Sequence, residues 1–174
     1  VATDIGKIFE KELEKVFRSL KESHLFGWHR LPDTSSAGGH IIGEQPSDYL
    51  LALPPGSCSL NDQRLLFMEA KASEKHAGLT KAAMQPAQRG AVSFYRNMLQ
   101  LPYLVFFYAA DAGVIQIWDG SVVVADERIS KYTPLCVIEQ AGSGVKLNTE
   151  VIQHELIDFF ELPPKSKTLA NYCA

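Results

Sequence analysis

Apolar residues recur at helical spacing across residues 4–22. Ile5, Ile8, Phe9, Leu13, Val16, Phe17 and Leu20 fall on one side, while Lys7, Lys11, Lys15 and Arg18 cluster on the other. The pattern predicts an amphipathic helix. At about 100° per residue, Glu10 lands at the edge of the apolar stripe beside Phe17, whereas Glu14 lies nearer the basic stripe. Glu10 is therefore the acid that can reach a site beside the core. After Gly27, residues 28–31 predict a short strand, and residues 32–39, rich in small and turn-forming side chains, predict a mobile loop. Strand patterns return at 48–53, closed by Pro54, Pro55 and Gly56, and at 64–71. These two make an antiparallel pair with an irregular connection.

Pro86 suits the first turn of a helix whose core stripe is Ala91, Val92, Tyr95, Met98 and Leu99, ending near Gln100. Residues 103–108 are almost wholly apolar, which predicts a strand buried on both faces and so the centre of the sheet. Residues 114–118 and 121–125 flank Asp119 and Gly120, a dipeptide that predicts a two-residue hairpin at a sheet margin. Thr149 is placed to cap a last helix through Phe160, with Val151, Ile152, Leu156, Phe159 and Phe160 turned to the core. Strands and helices thus mix along the chain, and no repeat, linker or low-complexity block divides it.

Composition narrows the class. With 174 residues, 46% hydrophobic, 21% charged and a net charge of -3, the chain reads as a soluble globular protein rather than a disordered or collagen-like one. Its length predicts a single domain, residues 1–174, burying roughly 70% of the unfolded surface. The uncharged run 99–110 holds Gln100 and Pro102, and no uncharged run reaches the ~20 residues a membrane span needs. The first residues lead directly into the charged helical pattern, so no signal peptide is expected. Cys58, Cys136 and Cys173 are odd in number and lack metal-ligand spacing, which favours a reducing compartment. The histidines at 24, 29, 40, 76 and 154 lack paired zinc spacing. A pI near 6.0 supplies no whole-protein field for nucleic acid, so any such contact must use a local patch.

The chemistry concentrates in 64–71. Alternation puts Leu65, Phe67, Glu69 and Lys71 on one face and Leu66, Met68 and Ala70 on the other, so an apolar strand ends in opposite charges side by side. Taken alone, that pair reads first as a solvated cross-strand ion pair, and only its context makes it catalytic. Pro46, Ser47 and Asp48 open the neighbouring strand and supply a second carboxylate. Two carboxylates converging from adjacent strands form a hard oxygen site suited to Mg²⁺ or Mn²⁺, better than to zinc. A cation there would polarise a phosphodiester, and Lys71 could position or deprotonate a water. Gln88 adds a polar amide to the stripe 88, 91, 92, 95 and 99, where it needs hydrogen-bond partners. A place beside Lys71 or the attacking water would satisfy it.

In this order, a first helix bearing Glu10, Asp48, the Glu69-Ala70-Lys71 triplet and Gln88 resemble the PD-(D/E)XK nuclease superfamily, most nearly its RecU-like and phage-encoded Holliday junction resolvases. The resemblance covers approximately residues 5–124 and leaves 125–174 as a C-terminal extension. It departs from a strict Pro-Asp pair because Ser47 intervenes. It implies an α/β, restriction-endonuclease-like core with a central mixed β-sheet flanked by helices. It also implies a Mg²⁺ site (Mn²⁺ is the other candidate) formed by Asp48, Glu69 and the Ala70 carbonyl, with Glu10 as the additional helix acid. Lys71 would orient or activate water. Further implications are branched recombination DNA as substrate, a homodimer, and a bacterial cytoplasm or phage-infected cell as location. The DNA contacts expected on this basis are Lys7, Lys11, Lys15, Arg18, Arg30, Lys75 and Arg89, although a basic helix face is also an ordinary solvated surface. Two other functions share these residues: a phage or restriction-like nuclease acting on duplex or flap DNA, and an inactive nucleic-acid-binding protein.

Overall fold

The computed structural model of the chain describes residues 4–32, 45–57, 63–75, 79–125 and 129–163. Residues 33–39 of the expected loop, His40, His76, Cys58 and Cys173 lie outside the described residues. Helix α1 (Ile5–Glu22) begins where the Asp4 side chain accepts from the Lys7 N–H, and buries Phe9, Leu13, Val16, Phe17 and Leu20 as its stripe requires. Strands β1 (Gly27–Arg30), β2 (Tyr49–Ala52), β3 (Leu65–Ser73), β4 (Tyr103–Ala109), β5 (Val114–Asp119) and β6 (Cys136–Ile138) pair in that order in one sheet. Only β3 and β4 run parallel; the other pairs are antiparallel. The protein is therefore α/β with a central mixed six-stranded sheet flanked by helices, as expected.

Every residue of β4 is buried, as its apolar run predicts, and it shares the sheet centre with β3. One face carries Leu66, Met68, Ala70, Leu104, Phe106 and Tyr108 against α1 and helix α4 (Thr149–Phe159). The other carries Phe67, Tyr103, Val105 and Phe107 against helix α2 (Pro86–Ala91), the π-helix Val92–Met98 and helix α3 (Gly120–Ala125). Residues beyond 124 belong to this core: Ile138, Ile152, Leu156 and Phe160 are buried with α1, and β6 closes one sheet edge. The cap of α4 is Asn148, one residue before the expected Thr149, and its side chain accepts from the Val151 N–H. A two-stranded ribbon, β7 (Gly142–Ser143) with β8 (Lys146–Leu147), precedes α4. Among the described residues no helix is long and apolar enough to cross a membrane.

Two expectations are corrected. Asp119 and Gly120 do not turn a hairpin, and β5 is not the margin. Instead Asp119 accepts from the backbone N–H and hydroxyl of Ser121, opening α3. Arg96 fixes the same carboxylate through both of its oxygens. Gly120 is needed for close approach rather than for a left-handed turn, since a Cβ there would meet the Tyr103 ring at 2.9 Å and its carbonyl oxygen at 3.0 Å. The second correction concerns the helix after Gln88. Its winding widens to i→i+5 bonds, as in Leu99 N–H to the Phe94 carbonyl at 3.1 Å, which rotates later residues off a 3.6-residue stripe. Val92 stays buried and the Tyr95 ring packs at a tilt against Phe67, but Met98 and Leu99 are 72% and 50% exposed.

Candidate active site

The site forms where β3 outruns β2. The β2–β3 ladder covers Leu65 to Met68, while β3 continues beside β4 to Ser73. Phe67 donates its N–H to the Pro102 carbonyl, so the odd-numbered residues of β3 direct their backbone groups to β4 and Ala70 directs its own to the β2 side. Asp48, just ahead of β2, occupies that side. Its Oδ2 accepts from the Ala70 N–H at 2.8 Å, in place of a strand partner. The Ala70 carbonyl points the same way, because a strand residue presents N–H and C=O to the same neighbour. The Asp48 carbonyl in turn accepts from the Leu31 N–H at 2.9 Å. Ser47, which separates Pro46 from Asp48, is itself buried and donates its hydroxyl to the Tyr49 carbonyl at 2.8 Å. The extra residue is thus part of the turn that delivers Asp48.

Glu69 is fully buried on the opposite side chain face from Ala70. Its Oε1 accepts from Lys71 Nζ at 2.8 Å and from the Gln88 amide. Lys71 Nζ also donates to Gln88 Oε1 at 3.1 Å, closing a triangle of three side chains. Gln88 is held by its own helix end, since the Gln85 N–H donates to the same Oε1 at 2.9 Å. The amide oxygen thus accepts twice while its nitrogen donates to Glu69. The Asp48 and Glu69 carboxyls are close enough that each bears on the protonation of the other. Burial, reinforced by the neighbouring Asp48 charge and opposed by Lys71, pushes the Glu69 carboxyl up to about 8. Burial also raises Asp48, against the Ala70 N–H and the Lys71 charge.

Glu10 is placed differently. Its carboxylate accepts from Arg30 at 2.8 Å, and Glu14 accepts from the same guanidinium at 2.6 Å. Arg30 also lies 5.9 Å over the Tyr49 ring, and its charge reaches Asp48. Glu10 therefore adjoins Asp48 through Arg30. Among the described residues no three His, Cys, Asp or Glu gather into a metal-holding group; what Asp48, Glu69 and Ala70 bring is two carboxylates and a carbonyl. Lys7, Lys11, Lys15 and Arg18 lie along the exposed side of α1, and Lys75 is exposed beyond β3. Arg89 is half-buried and donates to the Met84 carbonyl at 2.7 Å, bracing the 3-10 turn Lys81–Ala83.

One residue of the site is absent from the sequence reading. Tyr103 is fully buried, donates its hydroxyl to the Pro46 carbonyl at 2.7 Å, and lies 3.5 Å from Glu69 Oε2. Burial, with the Glu69 and Asp48 charges, raises the phenol far above its ordinary range, so it stays protonated. A tyrosine at the start of an apolar strand is a faint signal, because Tyr108 stands in the same strand with a different job.

No family model matches the chain, and no curated protein does. Among solved structures, the chain is similar to Hjc of Archaeoglobus fulgidus, a Holliday junction resolvase from an archaeal hyperthermophile. The identity is 14%, with 67% of this chain and 78% of that one covered and a TM-score of 0.42.

Proposed function

We propose that the protein is a Mg²⁺-dependent endonuclease that hydrolyses DNA phosphodiester bonds. The observation that carries this reading is the convergence of Asp48 and Glu69 from adjacent strands at one buried place, with Lys71 and Gln88 bonded to the same Glu69 oxygen. Two like charges held together away from water repel, and a small divalent cation is the partner that removes that cost. The donors fit it: Asp48, Glu69 and the Ala70 carbonyl are all hard oxygens, which suits Mg²⁺ or Mn²⁺. When bound, the cation supplies Lewis-acid polarisation of a phosphoryl oxygen.

The chain's own residues supply the rest. Glu69 and Gln88 fix the Lys71 ammonium, which remains 20% exposed and so can orient an attacking water or meet charge on the phosphate. Gln88 acts by holding Lys71 and Glu69 in register. Glu10 acts through Arg30, whose charge bears on Asp48. The exposed lysines of α1 offer the local positive surface that a protein of net charge -3 requires for DNA. Branched recombination DNA is the substrate we propose, on the resemblance of the motif order to junction resolvases. A homodimer follows from it, because symmetric incision of a four-way junction needs two sites. A bacterial cytoplasm or phage-infected cell suits that substrate.

Cleavage of a four-way junction and of linear duplex, each with and without Mg²⁺, tests the reading. Metal-dependent junction cutting that Asp48→Asn abolishes is the expected result. Equal cutting of both DNAs would make the protein a general duplex nuclease. DNA binding without any cutting in Mg²⁺ or Mn²⁺ would make it an inactive binder and end the proposal.

A further inference from the structure

The Tyr103 hydroxyl reaches across the sheet. Tyr103 stands on β4 opposite Phe67 of β3, while Pro46 leads into Asp48 on the far side of β3. The 2.7 Å bond to the Pro46 carbonyl therefore passes over β3, and the same oxygen lies 3.5 Å from Glu69 Oε2. One hydroxyl has one proton, so the shorter contact holds it and the approach to Glu69 is the weaker arm. The ring cannot retreat from this post. Gly120 packs so closely under it that even a Cβ would sit 2.9 Å from the ring, and Phe67 flanks it with ring centroids 6.1 Å apart.

We propose that Tyr103 is a positioning residue that sets the spacing of the Asp48 and Glu69 carboxylates and thereby the affinity of the site for a divalent cation. Without the tether, the Pro46 to Asp48 turn keeps the Ser47 bond to the Tyr49 carbonyl and the Asp48 bonds to the Ala70 and Leu31 N–H groups but loses its tie to the Glu69 side of the sheet. Glu69 keeps Lys71 and Gln88 at Oε1 and loses the hydroxyl beside Oε2. The inference rests on the metal-dependent nuclease reading but concerns a residue outside the acidic pair.

Tyr103→Phe keeps the ring and removes the tether. Tyr108→Phe is the matched control, since Tyr108 lies on the same strand and donates its hydroxyl to the Gly144 carbonyl at 2.9 Å, away from the acidic pair. The half-saturating Mg²⁺ concentration for cleavage and the Mn²⁺ dissociation constant, read by electron paramagnetic resonance, should both rise about tenfold in Tyr103→Phe. That is the size of effect found when outer partners of metal ligands are removed. KM for DNA should stay within about twofold, and kcat should recover toward wild type at saturating Mg²⁺. Tyr108→Phe should move neither metal constant. A second measurement needs no deletion: with 3-fluorotyrosine placed at position 103 alone, the fluorine resonance should shift along the Mg²⁺ titration, and at position 108 it should not. Equal metal constants in the two Phe variants, or a silent fluorine at 103, would overturn the proposal. A wild-type protein that binds no Mn²⁺ would overturn the nuclease reading beneath it, a result distinct from the first.

Discussion

Replacing Glu69 by Gln should stabilise the metal-free protein while abolishing its activity. Glu69 is fully buried, and its carboxyl is raised from the ordinary 4.5 to about 8, first by burial and then by Asp48. For an acid raised in this way, both folded and unfolded states hold the proton below about 4.5 and no cost arises. Between 4.5 and about 8 the unfolded chain releases its proton while the folded one keeps it, so stability falls as pH rises through that window and levels off above it. At about 1.4 kcal/mol for each pKa unit, the full displacement would cost up to about 5 kcal/mol. The variant recovers less than this, because it gives up the Lys71 ion pair and because Asp48 shares the proton. Glutamine can still accept from Lys71 and Gln88 on one side and donate to Asp48 on the other. A gain of about 2 kcal/mol at pH 8 is the expected balance. For a chain of this size that is a rise of about 6 °C in Tm. Thermal and urea denaturation in EDTA at pH 5, 6, 7 and 8 measure it, and the gain should shrink steadily toward pH 5. Added Mg²⁺ should erase it, since only the wild type gains from ligand binding. A variant no more stable than wild type at pH 8, or a gain that ignores pH, would refute the reasoning.

Lys71→Ala should lower single-turnover cleavage at least about 100-fold with DNA affinity retained, as expected for a group acting in the chemical step. A loss confined to affinity would make Lys71 a phosphate contact. Asp119→Ala removes the bidentate hydrogen bonds from Arg96 and the Ser121 cap, and should cost about 2 kcal/mol by urea denaturation at pH 7. Despite burial, Arg96 and Ser121 hold the Asp119 carboxyl below its ordinary value, so this contribution is present above the unfolded pKa and is lost as pH falls through the folded one. A cost that persists unchanged into strong acid would show it to be packing. Changing Lys7, Lys11, Lys15 and Arg18 together to Gln should flatten the salt dependence of DNA binding, and an unchanged slope would exclude α1 as the phosphate-contacting face.

What could be read in advance depended on how local its cause was. The stripe of α1 repeats over 18 residues, so Phe9, Leu13, Val16, Phe17 and Leu20 were legible as buried, while Ile5 and Ile8 near its start stay half-buried. Glu69 and Lys71 were legible as charges inside an alternating apolar strand, and Gln88 as an amide on a core-facing stripe. Tyr103 was not, because nothing within residues 103–108 separates it from Tyr108; only the approach of Pro46, 57 positions away, gives it a role. Asp119 and Gly120 misled for the same reason. Their dipeptide serves a hairpin or a helix start equally, and the choice is made by Arg96 and the Tyr103 ring, both distant in sequence. Met98 and Leu99 failed on a false premise of 3.6-residue winding, since the sequence carries no mark of the wider i→i+5 turn.

The mismatch in strand length explains why the acidic pair sits where it does. Had β2 matched all nine residues of β3, a backbone carbonyl would take the Ala70 N–H and a neighbouring strand would cover its C=O. Because the ladder stops at Met68, a side chain replaces the strand: Asp48 takes the N–H and stands beside the carbonyl. The parallel partner β4 then does what an antiparallel neighbour with a tight turn could not, since a crossover must join β3 to β4 and that crossover carries α2. Gln88, in the first turn of α2, is delivered to the Glu69 and Lys71 face by the connection itself. Extending β2 by two residues, with a strand-forming pair in place of Pro46 and Ser47, should therefore leave the sheet intact yet abolish metal binding. It would pair Ala70 with backbone and carry Asp48 into the ladder. Retention of Mn²⁺ affinity in such a variant would show that the end of the ladder is incidental to the site.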